Sequence, residues 1–361
     1  MDILQVGIMA SLGSWHFAKH IYEYGRNSLK DRDSENDDYE LVSLQQLAVA
    51  ADRKRADPYY TQFIAYFNSN SYADKQIAEA LSGSGKWKTD NQRRQVVVAT
   101  SAYQVVFMYI LAELRETITQ CRDPDFDALD ASMHPWDEVA ALLVGSLEGT
   151  AEGGSSDLAD GQLIFNLANS RAFQFQTLND EGYALVNSDL LDLMFAGKGE
   201  LDAKDCDNLE KTASRIEKAL LVPLIQSALR YATTAEKQST AEGSIEAALG
   251  EVFAFSVLPF LSAVDQDSAE VIRESMEIIE GVSPVRDGAQ TVADAFGSAA
   301  EKFGIDCPDL GYLSQADPCR LLGGHSTSRA NTTPPSGSRK TGIFLVFAAA
   351  IMLSVGLDFM L

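Results

Sequence analysis

The 361 residues are 46% apolar and carry 29 Lys and Arg against 52 Asp and Glu, a formal charge of −23. The apolar share supports a full-sized core and excludes a disordered chain, and the length suits two globular units or one duplicated domain. So acidic a surface repels nucleic acid and anionic headgroups and attracts cations, which excludes nucleic acid as a partner.

Residues 1–14 are mildly apolar, begin with Asp2 and lack both a basic region and a long apolar centre, so no signal peptide is visible. A short amphipathic helix is predicted over 15–24. His16 and His20 share one of its faces, but with Trp15 and Phe17 beside them exposed histidines are a plainer reading than a transition-metal clip. Residues 31–39 read as a charged loop. Helices follow over 41–51 and 59–67, the second opened by Asp57-Pro58 in the cap and first-turn pattern. Ser82-Gly83-Ser84-Gly85-Lys86 only mimics a phosphate loop, because the spacing fails and Trp87 stands where Ser or Thr is required.

A weak internal repeat then organises the chain. Gly83-Ser84-Gly85, a helical run over 91–120 and Trp136-Asp137-Glu138-Val139 are echoed by Gly197-Lys198-Gly199, a run over 208–232 and Leu249-Gly250-Glu251-Val252. Each Gly-x-Gly is expected to turn the chain into its long helix. Val96, Ala99, Tyr103, Val106, Ile110 and Leu114 form one helical stripe, and Leu209, Ile216, Leu220, Leu224 and Ala228 the other. Between the copies a Gly, Ser and acid cluster over 149–160 predicts an exposed loop, and 161–174 a helix. Pro223 and Pro259 should kink their helices, and a last helix over 290–303 closes the body.

None of the four cysteines has Cys-x-x-Cys spacing. Cys307 and Cys319 flank a short loop with Pro308 and Pro318, which suits a disulfide; Cys121 and Cys206, beside the repeated long helices, could pair across the copies. Asn331-Thr332-Thr333 is a glycosylation sequon inside a Ser, Thr, Gly and Pro-rich stalk over 323–338. These features favour an extracellular or periplasmic body. After Arg339-Lys340, residues 342–357 are uncharged and apolar, marginal for a bilayer span of about 20 residues and equally readable as a glycolipid-anchor signal. Either tethers the C-terminus to the plasma membrane.

No sustained period-two pattern occurs, so the fold class is all-α: a duplicated helical bundle of two pseudo-symmetric repeats, then a flexible stalk and a C-terminal hydrophobic helix. The expected organisation is N-terminal helices over 1–79, repeats over 80–194 and 195–310, a Cys-containing segment and stalk over 311–341, and an anchor over 342–361.

Glu138 and Glu251 hold equivalent places on otherwise apolar helices, and a carboxylate facing a core must be paired, hydrogen-bonded or bound to a cation. His134-Pro135-Trp136-Asp137-Glu138 concentrates an imidazole and two carboxylates at a helix start. With Tyr103, Tyr109 or Tyr231 these are donors for a hard trivalent ion, and Arg115 or Arg230 could hold an accompanying anion. Glu-x-x-His, Gly-x-Ser-x-Gly and His-Glu-x-x-His are absent, so no di-iron or hydrolase signature is present and no enzyme is expected.

Tyr22-Glu23-Tyr24-Gly25-Arg26-Asn27-Ser28, Ser43-Leu44-Gln45-Gln46-Leu47, Ala102-Tyr103-Gln104-Val105-Val106, His134-Pro135-Trp136-Asp137-Glu138 with Gly145-Ser146-Leu147-Glu148-Gly149, and Val222-Pro223-Leu224-Ile225-Gln226 with Leu229-Arg230-Tyr231 resemble the algal iron-assimilation proteins, relatives of the phytotransferrins. The likeness runs over roughly residues 20–310. It implies capture of ferric iron (Fe3+) at the cell surface, carbonate as the synergistic anion, and delivery without catalysis. The metal ligands are then expected among His134, Asp137, Glu138, Glu251 and Tyr103 in a cleft between the copies. Around Asn169-Ser170-Arg171-Ala172-Phe173-Gln174-Phe175 the chain departs from its relatives, which carry a more charged, cysteine-bearing stretch there. The alternative expectation is a helical surface or adhesion protein that has lost the metal.

Overall fold

Helix capping, more than propensity, sets where the chain turns. The computed structural model describes residues 2–33, 38–54, 56–124, 133–144 and 163–322. The predicted loop over 149–160, the stalk with its sequon and the apolar C-terminal segment lie outside them. Residues 1–325 cluster as one unit.

The chain opens with α1 (Asp2–Ser11) and α2 (Trp15–Tyr24), which pack on each other. The Asp2 carboxylate fixes α1 to the segment after α2, accepting from the amides of Arg26 and Asn27, both at 3.0 Å, and from Ser28 Oγ at 3.1 Å. The predicted charged loop is instead a small antiparallel ribbon of β1 (Leu29–Asp33) and β2 (Asp38–Leu41), with Lys30 opposite Glu40. The predicted helix over 41–51 begins instead as α3 (Leu44–Ala48), started by the Ser43 and Gln46 capping box, and after Val49 continues as α4 (Ala50–Arg53). α5 (Pro58–Phe67) begins where Asp57 Oδ1 accepts from the amides of Tyr59 and Tyr60, as Asp57-Pro58 predicts.

α6 (Tyr72–Ser82) ends at Gly83 in the left-handed conformation, so the first Gly-x-Gly does turn the chain. α7 (Asp90–Thr100), a π-helical segment (Ser101–Val106) and α8 (Phe107–Cys121) then run as one rod. α9 (Met133–Val144), α10 (Leu163–Phe175) and α11 (Leu185–Asp202) follow. Gly197-Lys198-Gly199 is not a turn: both glycines lie inside α11, and a Cβ on Gly197 would sit 2.3 Å from the Trp136 ring of α9. The second glycine pair thus permits close helix approach, while the turn into α12 (Cys206–Ala235) is made by Asp205, which caps the Asn208 amide.

α13 (Ile245–Val264) is the central rod, almost wholly buried, and packs on α7, α12, α14 (Gln266–Met276) and α15 (Ala289–Phe303). Phe260 is its hub, with ring centroids 5.3 Å from Phe63, 5.9 Å from Phe107, and 6.1 Å from Tyr59 and Phe303. Burying a side chain of this size contributes about 1.5–3 kcal/mol, so one residue binds four elements together. α12 and α13 continue through Pro223 and Pro259. The rod over 90–121 and α13 are the two described helices long and apolar enough to cross a bilayer, and both are buried in the body as core helices. Short α16 (Cys307–Leu310) and a final 3₁₀ turn (Arg320–Leu322) end the described chain. Disulfides join Cys121 to Cys206 and Cys307 to Cys319, the two pairings the spacing suggests.

Candidate functional site

The repeated acids do not converge. Glu251 on α13 is 1% exposed, and its Oε1 accepts from Lys86 Nζ and, at 2.9 Å, from the Ile278 amide. Lys86 comes from the turn after α6 and stands 5.7 Å from the Trp87 ring and 6.0 Å from the Phe255 ring. Burial raises the Glu251 carboxyl pKa, against the opposing pull of the Lys86 ammonium. The cation that an inward carboxylate demands is here supplied by the chain itself.

Glu138 on α9 is half-buried and faces a different set of groups. Tyr109 and Glu113 lie one turn apart on α8, and Glu113 is only 5% exposed. Lys54, from the turn after α4, places Nζ 2.5 Å from Glu113 Oε1 and 4.9 Å from the Tyr109 ring centroid. The Tyr109 phenol is pushed well above its ordinary pKa, first by burial and then by the negative charges of Glu113 and Glu138, and it donates to Glu113. Buried Tyr60 of α5 adds a second phenol close enough to act on Tyr109. Lys54 and Tyr109 thus meet at the Glu113 carboxylate, and Glu138 of α9 and Tyr60 of α5 act on the same Tyr109 phenol. The π segment contributes to this arrangement, since its extra residue rotates every α8 side chain by about 100° relative to α7.

Tyr103, inside the π segment, belongs to an aromatic stack. Its ring is 4.9 Å from Phe253, which stacks on Tyr231 at 5.6 Å, and the Arg171 guanidinium lies 5.7 Å from the Tyr231 ring. Burial raises the Tyr103 phenol pKa while the Arg171 charge opposes that rise. Asp137 is exposed, and Trp136 beside it is buried against Gly197. His134 lies on α9, its side chain outside the described residues. Among the described residues, no three or more His, Cys, Asp or Glu side chains gather as a metal group.

The two arginines expected near an anion also separate. Arg115 Nη1 is 3.2 Å from Glu210 Oε1, and Arg122 Nη2 reaches Glu210 Oε2 at 2.7 Å, so Arg115 is committed to an acidic partner. Arg230 is half-buried on α12, and its guanidinium has no hydrogen bond or ion pair among the described residues. His16 and His20 are exposed, with the His20 ring 4.8 Å from Tyr24.

Of the expected ligands whose side chains are described, Glu138 alone acts on the Tyr109 phenol beside Glu113. The sequence reading passed over Glu113 and Lys54. The signal for Glu113 was the one used for Glu138, an acid flanked by apolar residues in Tyr109-Ile110-Leu111-Ala112-Glu113-Leu114. Lys54 left no local signal, because its partner is distant in the chain.

These features define an all-α, disulfide-bonded protein with hard oxygen donors held inside its body. Residues 1–318 match the family described as low iron-inducible periplasmic protein, and the chain belongs to that family. No curated protein and no solved structure matches it.

Proposed function

We propose that the protein captures ferric iron at the cell surface for uptake, as a binding protein and not an enzyme, with Glu113, Glu138 and Tyr109 as its protein ligands. The observation carrying this reading is the buried Glu113 carboxylate, paired with Lys54 and bonded by the Tyr109 phenol, on which Glu138 also acts, in a member of a family induced by low iron. Carboxylate and phenolate oxygens are the donors that a small trivalent ion prefers. Carbonate would complete the shell, and the apolar C-terminal segment would tether the body to the plasma membrane.

Iron-free protein titrated with ferric nitrilotriacetate, with and without bicarbonate, tests the proposal. A visible iron–phenolate absorption band should grow to saturation and be absent from Tyr109→Phe. Glu113→Gln and Glu138→Gln should each weaken binding by roughly a hundredfold, the upper end of what even outer-shell changes cost. Unaltered binding in all three variants refutes this site.

The lysine pairs favour one other reading, a helical surface protein in which Glu113 and Glu251 are permanent bridges and the metal has been lost. Protein that takes up no iron in the same titration would establish it.

A further inference from the structure

We infer that Lys54 is a resident counter-cation that closes the iron-free site and must leave Glu113 before a ferric ion can enter, an inference that rests on the proposed site. The Glu113 side chain is 6% exposed while the Lys54 side chain is 31% exposed, so the acid is fixed in the core and the lysine reaches it from the rim. A carboxylate so enclosed is unfavourable without a positive partner, and Lys54 Nζ at 2.5 Å supplies one. The same ammonium lies over the face of the Tyr109 ring, 4.9 Å from its centroid, and the Tyr109 phenol donates to the same Glu113 carboxylate. One lysine thus holds the carboxylate charge that an entering cation would have to take over.

The attachment of Lys54 allows it to leave. It ends α4, its amide bonding Ala50 O at 2.8 Å and its carbonyl accepting the Asp57 amide at 2.9 Å, so its backbone is held by a local turn and the side chain can swing to solvent without disturbing α8. Glu113 keeps its place through the rod over 90–121, where Thr117 Oγ1 also bonds its carbonyl at 2.9 Å. The Lys86 and Glu251 pair is the contrast. There the carboxylate is also held by the Ile278 amide, and among the described residues no phenol is hydrogen-bonded to it.

Competition for ferric nitrilotriacetate by wild type, Lys54→Met and Lys86→Met reads the inference directly. Lys54→Met keeps the apolar stem and removes the charge, and should bind ferric iron roughly tenfold more tightly, with Lys86→Met close to wild type. Equal or weaker binding by Lys54→Met overturns the inference while leaving the ferric site standing. Absence of binding in wild type and Lys54→Met alike refutes the ferric reading, and this inference with it. Acylation of Lys54 by an amine-reactive reagent, followed by peptide mass mapping on wild-type protein with and without iron, needs no variant to fold. Labelling should rise several-fold on iron loading, and labelling unchanged by bound iron overturns the inference.

Discussion

Glu251 shows how much of a residue's chemistry is local and how much is not. That it would point inward was legible in Leu249, Val252, Phe253, Ala254 and Phe255 around it; that Lys86 would meet it was not, because Lys86 lies in a segment whose only local resemblance was to a phosphate loop. The same holds for Glu138, whose phenol neighbour Tyr109 comes from α8. Lys86→Met should destabilise the fold by about 3 kcal/mol in denaturant unfolding at neutral pH, since it strands a charge 1% exposed. Glu251→Gln, which keeps an acceptor for the Ile278 amide, should cost far less. The pH dependence has a definite sign. The folded carboxyl pKa is raised, so the fold binds this proton more readily than the unfolded chain does, and stability from this group falls as pH rises past the ordinary value of 4.5. The Lys86→Met deficit should therefore shrink on acidification. A deficit that is constant from pH 4 to 8, or a Glu251→Gln loss equal to that of Lys86→Met, would remove the buried charge as its cause.

At the scale of elements, caps were readable and registers were not. Asp57-Pro58 starts α5 as expected because its hydrogen bonds are made within three residues. The π segment over 101–106 carries no such mark: Ser101 and Gln104 are buried there, and Gln104 Nε2 donates to Val252 O of α13 at 3.1 Å, so tertiary packing selects the wider helix. Gly197-Lys198-Gly199 was misread for a related reason. Glycine spacing alone does not separate a turn from a close helix crossing, and Trp136, which decides between them, lies on another helix. The two glycines should then respond oppositely to alanine. Gly199 is exposed with nothing within 4 Å of an added Cβ, so Gly199→Ala should raise stability by up to about 1 kcal/mol. Gly197→Ala should lower it by about 1–3 kcal/mol despite the same gain in helix propensity, because the methyl overlaps the Trp136 ring. By displacing α9, which carries Glu138, it should also weaken ferric binding. Thermal melts and iron titration of both variants check this, and a stabilised Gly197→Ala would contradict the packing described.

For the whole molecule, the disulfides cross-link elements that the core already packs together. Cys121–Cys206 links the end of α8 to the start of α12 across a sequence separation of 85, while Cys307–Cys319 closes one of only 12. Both suit the oxidising compartment that the family description names. Their positions were legible because each cysteine stands at an element boundary, whereas side-chain groups meeting in the middle of rods were not. A formal charge of −23 works against compaction, so the cross-links have repulsion to oppose as well as chain entropy. Loop closure assigns about 4–5 kcal/mol to the long bridge and about 3 kcal/mol to the short one. Replacing Cys121 and Cys206 by Ser should therefore cost more than replacing Cys307 and Cys319. The larger loss should be partly recovered in high salt, which screens the acidic surface. Because α8 carries Tyr109 and Glu113, loss of the long bridge should also lower ferric affinity, while loss of the short one should leave it near wild type. Equal losses of stability and affinity from the two pairs would show that the long bridge does not hold the site.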